Sequence, residues 1–543
     1  MSAPTAHIDT FVRDGLPPVA QWPEFLFDLP ELQYPEVLNC ATELLDKHVA
    51  AGKANKVAIY SDSGNWTYGE LLKKSNQIAN VLTQDLGLVA GNRVILRAAN
   101  NPMLVACWFA VVKAGGIVVT TMPMLRTSEL EAIINKGKTS IGLVDSRLAD
   151  DLRKAAQSSK DLKKVVSWGD GELEKLMASK SDQFENVKTY RDDPCLLAFT
   201  SGTTGVPKAP VHFHRDVLAM ADCFARYTLK TTENDIYAGS PPLAFTFGLG
   251  AELIFPLRFG GSAVMIEAPA PGVLLDYVQK YKITGLFTAP TAYRVMTADV
   301  KKFDISSLRF CVSAGEPLPK PTSDGWFEAT GHRIIDGIGS TEMIHIFISA
   351  AGDEIRPGAT GKPVPGYQAC VLDDENQPLP AGSIGKLAVK GPTGCRYLND
   401  DRQANYVANG WNVTGDTYQM DEDGYFWFQA RADDMIISSG YNIAGPEVEV
   451  ALLTHPAVKE TGVVSSPDED RGNIVKAYIV LHDDQKASPE LIKILQDHVK
   501  NTIAPFKYPR AIEFVDSLPK TNTGKVQRFK LREMELEKAK GAA

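Results

Sequence analysis

At 543 residues the chain exceeds one ordinary domain, so two or more cores are expected. A hydrophobic fraction of 44% and a charged fraction of 23% describe an ordinary globular composition. The net charge of -9 lacks the basic footprint of a nucleic-acid binder, so any anionic ligand must be held by local groups.

The opening stretch, "MSAPTAHIDTFVRDG", has neither a basic nor an apolar leader segment, and no signal peptide is expected. Thr67-Tyr68-Gly69-Glu70 reads as a capping box opening a helix with Leu71, Ile78 and Leu82 on one face. Next come a strand over Arg93 to Ala98, a helix over Pro102 to Ala114, a strand over Gly116 to Thr121, a helix over Thr127 to Lys136 and a strand over Ile141 to Asp145. The most apolar run, "MLVACWFAVVKAGGIVVTT", carries Lys113 and a Gly pair, so it predicts a buried helix turning into a buried strand and no membrane span. Alternating helices and continuous apolar strands mean a parallel sheet covered on both faces, and the pattern recurs around Lys282 to Thr288 and Arg309 to Ser313.

Past Tyr397, turns rich in Gly, Asp and Asn separate short aromatic strands, which predicts antiparallel hairpins. A Pro-started helix follows in "GPEVEVALL", then a helix capped by Ser488 with Pro489 at its first position, then the strand "AIEFVD". The expected organisation is α/β: a large N-terminal body of parallel-type sheets covered by helices plus a β-subdomain, residues 1–432, and a small mobile α+β C-terminal lid, residues 433–543. The seven cysteines, Cys40, Cys107, Cys195, Cys223, Cys311, Cys370 and Cys395, form no C-x-x-C pair, and their odd count fits a reducing cytoplasm.

Five loops carry chemistry. "LLAFTSGTTGVPK" ends an apolar run in small and hydroxylated residues and delivers Lys208: Gly202 and Gly205 open the backbone, Ser201, Thr203 and Thr204 add hydroxyls, and the whole is competent to grip phosphate. It is not a Walker A loop, because Lys208 follows Pro207 and precedes Ala209. "SAGEPLP" from Ser313 and "DGIGSTEM" from Asp336 each end a strand, the second placing Glu342 after a Gly-Ser-Thr turn. "TGD" places Asp416 in a turn, and "LPKTNTGKVQR" offers Lys520 and Lys525. His212-x-His214 is not read as a metal site, since no third ligand stands at a sensible spacing.

In this order the loops resemble those of the adenylate-forming superfamily of acyl-CoA synthetases, firefly-type luciferases and peptide-synthetase adenylation domains, over about residues 30 to 535. "APTAY", "SAGEPLP", "DGIGSTEMIHIF", "GKPVPGY" and "APFKYPR" look most like the benzoate and 2-aminobenzoate CoA ligases. The resemblance implies ATP, Mg²⁺ and coenzyme A. It places Thr200, Ser201, Gly202, Thr203, Thr204, Gly205 and Lys208 on the β- and γ-phosphates, Thr341 on the α-phosphate and Glu342 on the metal. It lines adenine with Ser313, Ala314, Gly315, Glu316 and Pro317 and with Asp336, Gly337, Ile338, Gly339 and Ser340, Asp336 accepting from the adenine amine. Asp416 would take the ribose hydroxyls beside Arg431, and Lys525 would be catalytic. The lid would swing about Asp433, presenting Ser438, Ser439, Gly440 and Tyr441 to the pantetheine, with Phe506, Lys507 and Arg510 near the nucleotide end of CoA. Two departures stand out: Ile338 replaces an aromatic that stacks on adenine, and Ala209 replaces a glycine after the loop lysine.

The acid would lie among Phe245, Thr246, Phe247, Ala289, Tyr293, Gly339, His345 and Ile346, an apolar lining suited to a flat ring, with Phe247 and His345 blocking a long alkyl chain. His345 reads equally well as a packed helix histidine. Benzoate or 2-aminobenzoate is the expected substrate of a monomer or homodimer with no nucleic-acid or membrane partner. The alternatives are a ligase for another small aryl or arylacetic acid, a free-standing carrier-loading enzyme, and a nucleotide-binding regulator with a dead site. Retention of Lys208, Glu342, Asp416 and Lys525 argues against the last.

Overall fold

Strands that are apolar on both faces must be covered by helices on both faces, and the chain folds accordingly. The structure, a computed structural model, describes residues 4–200, 207–431, 434–438, 441–468, 472–503, 505–520 and 524–541. By packing it divides into two units, residues 1–369 with 389–412, and residues 370–388 with 413–543.

The first unit holds two sheets. One runs in the order Lys164–Trp168, Ile141–Asp145, Arg93–Arg97, Ile117–Thr121, Pro194–Leu197 and Val211–Phe213. Its strands are parallel except for the last, which turns back on Pro194–Leu197. The other has a parallel centre, Ile334–Gly339, Phe310–Ala314, Gly285–Thr288, Ile236–Gly239, Ser262–Val264 and Val57–Tyr60, with antiparallel strands at both edges. The helix Tyr68–Asn80 starts at the Thr67–Glu70 capping box, and Leu71, Ile78 and Leu82 are wholly buried, as the sequence predicts. The apolar run becomes the buried helix Pro102–Lys113 and the strand Ile117–Thr121; Lys113 is tolerated there because its ammonium meets Asp46 at 2.5 Å. No described helix is long and apolar enough to cross a membrane.

The second unit contains the predicted hairpin, Trp411–Met420 against Phe426–Arg431, whose residues from Val413 onward belong to it. It also contains a three-stranded sheet of Val458–Asp468, Gly472–Leu481 and Ala511–Phe514, covered by the helices Gly445–Leu453, Pro489–Thr502 and Arg528–Gly541. Ser488 caps the second helix through Leu491 N–H, with Pro489 at its first turn. No disulfide joins cysteines among the described residues.

Candidate active site

The loop expected to grip phosphate is clamped at its ends. Thr200 and Lys208 exchange backbone hydrogen bonds of 3.0 and 3.1 Å, while Ser201, Gly202, Thr203, Thr204 and Gly205 lie outside the described residues. Ala209 is fully buried and its carbonyl accepts from Leu398 N–H at 3.0 Å, so a methyl group is accommodated there by the core. Val211 N–H donates to the Arg396 carbonyl at 2.8 Å. This pairing carries Tyr397 alongside Lys208, whose ammonium sits 5.3 Å over the phenol ring.

Tyr397 also reaches the Gly-Ser-Thr turn, donating its phenol to Glu342 Oε1 at 2.5 Å. Burial, then the Glu342 charge, raises the phenol's pKa, so it stays protonated and remains a donor. Glu342 is only 9% exposed, a nearly enclosed carboxylate able to ligate a hard cation. Behind it, the Thr341 carbonyl is held by His212 Nε2 at 2.8 Å, which must carry the ring proton. Burial, with the Arg396 charge second, pushes His212 down to about 3, and the imidazole is neutral. Its 3.9 Å approach to Asp216 is therefore no ion pair; Asp216 is instead bonded to the Arg396 guanidinium, both side chains being fully buried. Ser340 Oγ accepts from Met343 N–H and meets the Tyr406 hydroxyl at 3.1 Å. The turn closes with Ile344 at φ 64°, a left-handed conformation that a β-branched residue adopts only under strain, on the order of 1–3 kcal/mol.

Where adenine is expected, Ser313 and Asp336 stand opposite each other on neighbouring parallel strands. Ser313 Oγ and Asp336 Oδ1 are both buried without a hydrogen-bond partner among the described residues, a donor–acceptor pair fitted to a polar base edge. Burial raises the Asp336 carboxyl to about 7. Ala314 ends the strand, Gly315 turns at φ 87°, and Glu316 accepts from Thr291 Oγ1 at 3.0 Å. Gly337 and Gly339 tolerate no side chain, because a Cβ would fall 2.8 Å from Ile346 and 2.7 Å from the His345 backbone. Ile338 is partly exposed on this strand, where the resemblance has an aromatic.

The residues expected to line the acid, Phe245, Thr246 and Phe247, open the short helix Thr246–Leu249. His345 Nε2 donates to the Phe247 carbonyl at 3.2 Å, and its ring packs on Phe255, Phe247 and Phe224 at 4.5, 5.6 and 5.8 Å. Burial pushes His345 down to about 3, so it is a neutral part of an aromatic wall, in a turn before the strand Ile346–Ser349 and not in a helix. Ala289 caps the helix Pro290–Thr297 and is partly exposed. Tyr293 requires correction: it is wholly buried against Trp326, its hydroxyl satisfied by the carbonyls of Leu286 and Val312 at 2.9 and 3.0 Å, and it belongs to the core.

In the second unit, Asp416 and Arg431 are directly opposed in the antiparallel register. Ser438 is buried at the end of its hairpin strand, which pairs with Tyr441; Asp433, Ser439 and Gly440 lie outside the described residues. Lys507 is engaged by Glu447 at 2.6 Å, Arg510 donates to the Tyr508 hydroxyl at 2.9 Å, and Phe506 is 40% exposed. Lys520 pairs with Glu460 at 2.7 Å, and its residue bridges Val526, so the loop that carries Lys525 is closed at its base.

Residues 46–397 match the AMP-binding enzyme family, and residues 447–525 match the AMP-binding enzyme C-terminal domain. The chain is 37% identical over 512 residues to the benzoate–CoA ligase of Thauera aromatica, covering 93% of this chain and 97% of that protein. It is 34% identical over 532 residues to the mitochondrial acyl-coenzyme A synthetase ACSM3 of Homo sapiens, covering 93% and 91%. Among solved structures, the anthranilate CoA ligase AuaEII in complex with anthranoyl-AMP is similar with a TM-score of 0.88 at 35% identity, covering 94% of this chain and 100% of that one. A benzoate CoA ligase from Burkholderia xenovorans LB400 gives 0.83 at 30% identity, covering 91% and 100%. A loop clamped between Thr200 and Lys208, an enclosed Glu342 and Asp416 in register with Arg431 thus occur in a chain that belongs to the AMP-binding enzyme family and is an AMP-forming acid–CoA ligase using ATP, Mg²⁺ and coenzyme A.

Proposed function

We propose that the acid is a small aromatic carboxylate, benzoate or 2-aminobenzoate, converted through an aryl-adenylate to its CoA thioester. The observation that carries this reading is the rigid aromatic wall of Phe247, His345, Phe255 and Phe224, in which the one imidazole is neutral and its Nε2 already donates to the Phe247 carbonyl. Phe224, Phe255 and His345 are buried and Phe247 is partly exposed, so a flat ring could lie on Phe247, whereas a long chain would have to displace packed side chains. The similarity to ligases named for benzoate and anthranilate supports the same reading.

The chemistry follows from charge. A carboxylate is a poor acyl donor, so its oxygen first attacks the α-phosphorus of ATP, forming the mixed anhydride as pyrophosphate leaves. The sulfur of CoA then attacks the acyl carbon, and AMP departs. Glu342 would hold Mg²⁺, which supplies positive charge to the phosphates, and Tyr397 would fix that carboxylate's orientation. Lys208 and Lys525 would add positive charge where the two anions meet, with Asp416 on the ribose hydroxyls. Rotation about Asp433 would then withdraw Lys525 and admit the pantetheine arm.

The test is a panel of benzoates, arylacetates and fatty acids assayed with ATP and CoA. Benzoate or 2-aminobenzoate should turn over well and decanoate hardly at all; efficient use of decanoate would overturn the aromatic assignment. Thr246→Ala should spare benzoate and weaken an ortho-amino acid by about 0.5–1.5 kcal/mol, the net size of one hydrogen bond. Equal loss for both acids would leave Thr246 as wall alone. Activated acid that is never released by CoA would favour a carrier-loading role.

A further inference from the structure

His212-x-His214 lacks a third ligand at any usual spacing, yet the fold assembles one from distant parts of the chain. Cys195 lies on the strand Pro194–Leu197, His214 opens the helix His214–Met220, and Cys40 arrives from the N-terminal region. One donor atom from each lies within 4.8 Å of the others, and all three residues are completely buried. His214 Nδ1 is 3.3 Å from Cys40 Sγ and accepts from Cys40 N–H at 3.2 Å, while the two sulfurs lie within 4.8 Å of each other. His212 takes no part, since its Nε2 holds Thr341.

A second observation points to the same place. His7 is 6% exposed, and neither of its ring nitrogens has a hydrogen-bond partner among the described residues; nor has Nε2 of His214. Thr5 Oγ1 and Ala6 N–H donate to the Asp193 carboxylate at 2.5 and 3.0 Å, and the Asp193 carbonyl accepts from His214 N–H at 3.2 Å. Asp193 thus ties the segment carrying His7 to the backbone of His214 and stands two residues before Cys195. A buried polar atom left unmatched is costly, and two thiols with one imidazole in a dry site, beside a segment that carries a second, unmatched imidazole, match the preferences of a soft cation.

We propose that Cys40, Cys195, His214 and His7 form a buried structural site for a soft d¹⁰ cation, Zn²⁺ or Cu⁺, separate from the nucleotide site. On binding, each thiol releases its proton to solvent as its sulfur bonds the cation. His214 coordinates through Nδ1, the cation taking the lone pair that Cys40 N–H now meets. His7 closes the tetrahedron and fastens the N-terminal segment to the core.

The test uses the full chain, purified without an affinity tag under reducing conditions. One arm is exposed to Zn²⁺ and the other anaerobically to Cu⁺ in a weak complex; both are dialysed against metal-free buffer and analysed for metal. Retention of about one equivalent in an arm is expected, and the arm names the cation. The Cys40→Ala/Cys195→Ala double variant should retain at least about tenfold less, and His7→Ala should bind some ten- to hundredfold more weakly. Because core variants can misfold, Co²⁺ bound to the parent chain gives a second readout, the sulfur-to-cobalt charge-transfer band of thiolate ligation in a tetrahedral field. Below roughly a tenth of an equivalent in both arms, or full retention by the double variant, the proposal fails. A Cys40–Cys195 disulfide, seen as the loss of two hydrogens from the intact mass, overturns it as well, and unchanged affinity in His7→Ala removes His7 from the site.

Discussion

A phenol that donates to a nearly buried carboxylate selects one orientation of it, and that orientation is what a metal-bound phosphate would meet. Tyr397→Phe removes the donor while keeping the ring over which Lys208 sits. Its kcat/KM for MgATP should fall by about 1.5–3 kcal/mol, the worth of a hydrogen bond to a charged group, and the Mg²⁺ requirement should rise. Pyrophosphate exchange titrated with Mg²⁺ measures both; a lowered melting temperature with an unshifted Mg²⁺ profile would make Tyr397 structural only. Asp336 gives a pH signature. Burial raises its folded pKa to about 7, above the ordinary value of 3.8. Between those values the unfolded chain releases a proton that the folded chain keeps, so this stabilisation is fully present below about pH 4 and is lost as pH rises through about 7. Asp336→Asn should remove that decline, which denaturation midpoints of parent and variant across pH 4 to 8 would reveal. Parallel curves would show that Asp336 is ionised throughout.

At the level of elements, what could be read from sequence was what local chemistry decides. The Thr67–Glu70 box and Ser488 with Pro489 determine helix starts within a single turn, and both stand where their residue types place them. Tyr397 could not be found that way, because its partner Glu342 is 55 residues off, and the Arg396–Asp216 pair spans 180. The available signal was faint: an arginine and a tyrosine inside the otherwise apolar or small run Thr393 to Leu398, which reads as burial with partners elsewhere. Tyr293 misled for the converse reason. A tyrosine one turn into a helix beside the acyl wall looks like lining, but helical phase turns it toward Trp326 and two carbonyls. The loop between Lys520 and Val526 belongs at this scale too. Lys525→Ala should lose adenylate formation by several kcal/mol while largely sparing thioester formation from supplied aryl-AMP. Asp433→Pro should do the reverse, because fixing φ stiffens the proposed pivot. Equal loss in both half-reactions for either variant would remove the lid-rotation account.

For the molecule as a whole, the class of architecture was legible in the sequence because alternation of apolar strands and amphipathic helices is a property of composition and period. The division between units was less legible, since it follows packing and not chain order: residues 370–388 group with 413–543, while 389–412 return to the first unit. That interleaving has a consequence for synthesis. Gly382 N–H donates to the Met420 carbonyl and Thr414 Oγ1 to that of Leu387, so residues 370–388 emerge from the ribosome before the partners that complete their sheet exist. A nascent chain stopped near residue 412 must carry the paired strands Gln368–Leu372 and Ile384–Lys390 with the edge that Trp411–Met420 later covers left open, a ready template for pairing between chains. A fragment ending there should aggregate, and one extended through Arg431 should stay markedly more soluble. Sedimentation of the two fragments after in vitro translation would decide it, and equal solubility would mean that the open edge is sheltered before its partner arrives.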